Sequence, residues 1–210
     1  MSDWEKTREA FEGAAEWFVS IMPLAIDHLD ESGLGEWSIR DLIGHTSRAL
    51  STLESYLAKP ATWVDVSSPV KYFTRILASG DPVAIAQRGR EAGEALGNDP
   101  ALSVRALTER VLRQLRAADE NALVTTPIGG MRLADYLPTR TFELTIHTCD
   151  LARALGQPLE VPKEAAAQSL AIIGELAIQA GTAALLLLSA TGRQTLPTGF
   201  SVLNIMNSSA

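Results

Sequence analysis

The chain has 210 residues, 46% of them hydrophobic and 20% charged, which is enough for one well-filled core and is read as one globular domain over 1–210. A net charge of −7 and a pI near 5.0 exclude roles that need a basic face, namely phosphate-backbone binding to nucleic acid and attachment to an acidic membrane surface. The single cysteine, Cys149, excludes an internal disulfide and a cysteine-rich zinc site, so any metal must use nitrogen and oxygen donors.

The start, Met1-Ser2-Asp3-Trp4-Glu5, is acidic and lacks the basic and apolar segments of a signal peptide. Apolar residues at Trp4, Phe11, Ala14, Ala15, Phe18, Ile21 and Met22 then recur at helical spacing and predict a first helix over 3–30, bent or divided at Pro23 and closed by the Gly33 and Gly35 loop. Ser38 and Asp41 have the spacing of a capping box and predict a second helix over 38–58, closed by Lys59-Pro60. The stretch 60–80 is mixed, broken at Pro69, with a short helix around Tyr72, Phe73, Ile76 and Leu77.

Asp81-Pro82 reads as an N-cap followed by a first-turn proline, opening a third helix over 82–96 that pauses at Gly97-Asn98-Asp99-Pro100 and resumes to 119. Thr125 to Arg132 predicts a hairpin with a Gly129-Gly130 turn, for which a plain loop is the alternative. A fourth helix starts near Ala134, tolerates Pro138 in or near its first turn, and ends at Gly156 and Pro158. Pro162 opens a fifth helix to Thr191, and the tail from 192 is irregular. The longest apolar run, Ala183 to Leu188, is too short to span a bilayer, and the expected location is the cytoplasm. Four long amphipathic helices with medium connections give an all-α bundle, an architecture that places metal sites between facing helices.

The candidate site lies on the fourth helix. Glu143 and His147 are four residues apart, so both side chains lie on one face one turn apart. With Asp150 they fall within about 60° of each other on the helical wheel, in the middle of the apolar arc. Buried there without compensation they would lose several kcal/mol of hydration, roughly, which a divalent cation would restore. His45, two turns inside the second helix and on its apolar face with Leu42, Ala49, Leu53 and Tyr56, supplies the third ligand. Three protein ligands with the fourth position left to water is the layout of a catalytic zinc site. The alternatives are an intrahelical Glu143–His147 pair and a core histidine at 45 bonded to a carbonyl or carboxylate.

These residues carry a resemblance. Trp37-Ser38-Ile39-Arg40-Asp41-Leu42-Ile43-Gly44-His45, Leu133-Ala134-Asp135-Tyr136-Leu137 leading into Glu143-Leu144-Thr145-Ile146-His147-Thr148-Cys149-Asp150-Leu151-Ala152, and the closing Gly192 to Phe200 resemble the DinB-like metalloprotein superfamily, within it the mycothiol-dependent maleylpyruvate isomerase N-terminal-domain group. The resemblance implies a left-handed, up-down-down-up four-helix bundle, here with an additional C-terminal helix and a short β-hairpin. It also implies a divalent metal, usually zinc, on His45, Glu143 and His147, and a low-molecular-weight thiol such as mycothiol as cosubstrate. The isomerase resembled carries a further C-terminal domain that contributes an active-site arginine. Only a short tail follows the fifth helix here, so a thiol transferase or isomerase-like enzyme acting on a small electrophile is expected instead of maleylpyruvate isomerisation itself. Arg193 could replace the missing arginine or be a helix-end cap with a solvated charge.

Other residues have modest expectations. Asp150 either orients His147 or pairs with Arg153 or Arg140. Cys149 lies off the metal face and packs as a small apolar residue. His28 complements a helix C-terminus. Trp37 packs as a staple before the cap and not against substrate. Arg90, Arg105, Arg110 and Arg113 form a solvated face. The rival to the enzyme is a non-catalytic metal- or ligand-binding bundle, monomeric or a homodimer.

Overall fold

A computed structural model describes residues 1–78 and 80–204. Ser2 Oγ accepts from the Glu5 amide at 3.2 Å while the Glu5 carboxylate accepts from the Ser2 amide, a capping box that starts α1 (Asp3–Ala25). The regular helix runs through Pro23 and ends two residues past it, and one 3-10 turn (Ile26–His28) supplies the rest of the expected length. A small antiparallel pair, β1 (Ser32–Leu34) and β2 (Trp37–Ser38), follows and was not foreseen; Gly35, at φ 58, makes its turn. Ser38 then caps α2 (Ile39–Leu57) through its expected box with Asp41.

Pro69 opens a helix instead of breaking one. It is the first residue of α3 (Pro69–Ala78), where its missing N–H would have had no partner in any case. Asp81 and Asp99 cap α4 (Pro82–Ala95) and α5 (Pro100–Ala117), each with proline in the first turn. The hairpin of β3 (Leu123–Thr126) and β4 (Gly129–Arg132) is present, but it turns at Pro127-Ile128 and not at the glycines. Thr126 Oγ1 closes that turn by donating to the Gly129 carbonyl at 2.6 Å. Gly130 serves a different need: any Cβ on it would run into the Trp63 carbonyl, and its amide donates to Asp65 Oδ2 at 2.7 Å.

The long helix α6 (Leu133–Ala154) carries Pro138 in its second turn. The expected fifth helix is two, α7 (Lys163–Gln179) and α8 (Ala183–Ala190). Between them Gly181, at φ 68, lets its own amide donate to Ile178 and that of Thr182 to Ala177, at 3.1 and 2.8 Å, which satisfies the last carbonyls of α7 and stops it. Residues 192–204 are irregular, as expected; residues 205–210 lie outside the described residues.

α1, α6, α2 and α5 form a ring of four in which each helix packs on two others, with Phe11, Phe18, Leu42, Leu50, Tyr136 and Leu137 buried between them. This is a mostly helical bundle, as the resemblance implies. Among the described residues no helix is long and apolar enough to cross a membrane. Outside the ring, α4 lies on α2 at very close range. A Cβ on Gly44 would collide with the Gly93 backbone, and one on Gly93 would sit 2.8 Å from the Arg40 carbonyl. Gly44→Ala is therefore expected to force the two helices apart at a cost of about 2–3 kcal/mol. A melting temperature lower by about 5–10 °C is the measurement that checks it.

Candidate metal centre

Helices α2 and α6 pack side by side, and their contact brings the three expected donors together. One donor atom from each of His45, Glu143 and His147 lies within 4.8 Å of the other two. His147 Nε2 is 3.2 Å from His45 Nε2 and 3.4 Å from Glu143 Oε2. The edge of a tetrahedron whose corners lie about 2.0–2.1 Å from a central zinc is about 3.3–3.4 Å, and these two separations are close to that edge.

Asp150 pairs with neither Arg153 nor Arg140. Its Oδ2 accepts from His147 Nδ1 at 3.2 Å, which leaves Nε2 as the nitrogen that faces the other donors. The side chains of His147, Glu143 and Asp150 are 18%, 28% and 22% exposed, so the cluster is reachable from solvent. It lies on the wall of a cavity of about 660 Å³ that runs between α2, α3, α4 and α6.

Charge in the cluster is held in place by mutual contact. Burial opposes ionisation of Glu143, but the hydrogen bond from His147 and the charges of Arg140 and His147 outweigh it and hold its pKa at about 2. Burial likewise disfavours the His147 cation, and the hydrogen bonds to Asp150 and Glu143 overcome that, raising its pKa to about 9. His45 goes the other way, to about 4, through burial and the adjacent His147 charge. In the metal-free protein His147 thus carries the proton that holds the cluster together, donating from Nε2 toward Glu143 and His45. His45 Nδ1 is buried without a partner. The core-histidine alternative for His45, bonded to a carbonyl or carboxylate, is not what the structure places there.

Trp37 makes contacts beyond the staple expected of it. Its ring lies 4.4 Å from that of His45 at 33°, and its indole N–H donates to the Ala86 carbonyl at 3.1 Å. A Cβ at Gly89 of α4 would meet the indole at 2.9 Å. The close approach of α4 to α2 therefore fixes the indole, and the indole backs the imidazole. Arg48, Arg88 and Arg140 also line the cavity. Spacing could have found two of them, since Arg48 follows His45 by three residues and Arg140 precedes Glu143 by three.

The remaining candidates stand apart. Cys149 is half-buried and unbridged, and burial raises its pKa. His28, at the end of the 3-10 turn, donates from Nδ1 to the Glu31 carboxylate at 2.7 Å. Arg193 is exposed and donates to the Thr191 carbonyl at 3.4 Å, so it takes the cap role and does not line the cavity. Arg90 and Arg110 make exposed pairs with Glu36 and Glu54.

Comparison with curated proteins and with solved structures gave no match. A family model, described as the mycothiol maleylpyruvate isomerase N-terminal domain, matches residues 29–152 and so spans both helices that supply the donors. Since that match covers more than half of the sequence, the chain belongs to the mycothiol maleylpyruvate isomerase N-terminal domain family, within the DinB-like superfamily.

Proposed function

We propose that the protein is a metal-dependent enzyme, holding one zinc ion on His45, Glu143 and His147 and using it to activate a low-molecular-weight thiol, mycothiol, for attack on a small electrophile, as a thiol transferase or an isomerase-like enzyme. The observation that carries this reading is the donor spacing of 3.2 and 3.4 Å on the wall of an accessible cavity. Two imidazoles and a carboxylate suit zinc among the divalent ions, and three donors leave a fourth position free. Bound there, zinc supplies Lewis acidity that brings a thiol pKa toward neutrality.

The chain's own groups do the rest. Asp150 keeps the His147 proton on Nδ1 and so keeps Nε2 turned to the site. Trp37, pinned by Ala86, restrains the His45 ring. Tyr72, Phe73 and Ile76 wall the cavity with apolar surface, which limits water around a reacting thiolate.

Conjugation of 1-chloro-2,4-dinitrobenzene with mycothiol tests the reading. Zinc-loaded protein is expected to react at least about tenfold faster than metal-stripped protein or the His45→Ala variant, because the thiolate fraction near pH 7 depends on the lowered thiol pKa. Equal rates in all three would favour a bundle that binds a metal or ligand without turnover.

A further inference from the structure

The cavity that holds the donors also holds an excess of positive charge. Arg48 on α2 and Arg140 on α6 line it, and the exposed Arg88 of α4 lies beside them. Arg140 is only 7% exposed. Its Nε donates to Thr139 at 3.0 Å and one terminal nitrogen to the Tyr72 hydroxyl at 3.3 Å, while the guanidinium lies 5.4 and 4.9 Å from the rings of Tyr72 and Tyr136. Among the described residues the other terminal nitrogen has no hydrogen-bond partner, and the side chains of Arg48 and Arg88 make no hydrogen bond or ion pair.

That arrangement is out of keeping with the rest of the chain, which has 25 carboxylates against 18 lysines and arginines. On the outside, Arg90, Arg110 and Arg116 each meet a glutamate. Among the described residues that line the cavity the one carboxylate is Glu143, and it is engaged with His147. The Tyr56 phenol adds no counter-charge, since burial raises its pKa and keeps it neutral. Burial and the charges of Arg88 and Arg140 lower that of Arg48, the signature of a cation facing like charges. Three guanidiniums lining part-buried space against one carboxylate among the described residues, Glu143, which also serves His147, are a site for an anion from outside, and their planar forks suit a carboxylate's two oxygens. Phe73, Ile76, Leu77 and Ile85 give the same cavity an apolar wall.

We propose that the cavity selects an organic carboxylate, its charged end held by Arg48, Arg88 and the free terminal nitrogen of Arg140 and its apolar body lying on Phe73, Ile76, Leu77 and Ile85. The binding stands by itself; that this ligand is the electrophile attacked beside His45, Glu143 and His147 rests on the function proposed above.

The test uses 4-phenylbutyrate and its uncharged amide, titrated calorimetrically into metal-stripped protein and into protein loaded with one equivalent of zinc. The acid is expected to bind at least about tenfold more tightly than the amide in the metal-stripped protein. Arg48→Gln and Arg88→Gln are each expected to remove most of that preference while circular dichroism stays that of the wild type; neither side chain is in the core. Equal binding of acid and amide, or binding of neither, overturns the proposal. So does a preference that appears only with zinc and survives both substitutions, since the carboxylate would then be a metal ligand. A preference in a protein that takes up no zinc supports the anion site and removes the metal-centre reading alone.

Discussion

Alanine in place of His45, Glu143 or His147 is expected to weaken zinc binding by about a hundredfold or more, because each substitution leaves two protein donors where a stable site needs three or four. Purified wild-type protein should carry close to one divalent ion per chain, and competition against a chromophoric chelator gives the affinities. The three losses should be similar in size, since all three donor atoms share one small volume, within 4.8 Å of one another. Asp150→Asn should cost less, about tenfold, because it keeps all three donors and loses only the charged acceptor behind His147. Helical content should stay that of the wild type in every variant, as the buried residues between α1, α2, α5 and α6 do not depend on the cluster. Wild-type occupancy in all three alanine variants would dispose of the site.

The donors were legible in the sequence because their geometry is local. Glu143 and His147 are one helical turn apart, Ser38 and Asp41 fix where α2 begins, and an apolar face then says which way His45 points. Those three facts need no knowledge of how the helices pack beyond their being neighbours. The contact of Trp37 with His45 is of another kind. It needs a two-residue strand that no periodicity reveals, and an anchor 49 residues away at Ala86, reachable only because Gly44 and Gly93 let α4 sit against α2. Glycines inside helices read as weak points in a sequence, whereas here they are contact points.

The other differences have similar physical causes. Gly129-Gly130 has the composition of a tight turn, yet the turn falls at Pro127-Ile128, because Trp63 and Asp65 press on the glycines from outside the hairpin. Gly181 ends α7 through a left-handed residue inside an apolar run whose composition argues for one continuous helix. The arginines of the cavity were within reach of the sequence, as Arg48 and Arg140 share faces with His45 and Glu143. Their meaning was not, since the excess of guanidiniums over the one described carboxylate, Glu143, depends on how four helices converge.

Zinc affinity is expected to rise about tenfold for each pH unit from pH 5 to pH 8, about a thousandfold in all, because one proton must leave for the ion to enter. The sign follows from the cluster's own ionisations. Raised from an ordinary 6.5 to about 9, His147 holds a proton across that whole window. Lowered to about 4, His45 is already neutral there, and Glu143, at about 2, is already ionised. A site made of two ordinary histidines would behave differently: two protons would compete below about pH 6, and the curve would be flat above about pH 7. The range from pH 7 to pH 8 therefore discriminates between them. Calorimetry at pH 7 in buffers of different ionisation enthalpy should count one proton released per zinc bound. Asp150→Asn, which takes away the negative acceptor that holds the His147 proton, should bring the plateau to lower pH. A wild-type curve already flat between pH 7 and pH 8 would mean that Glu143 and Asp150 do not hold a proton on His147, and the charge arrangement derived for the metal-free cluster would be wrong.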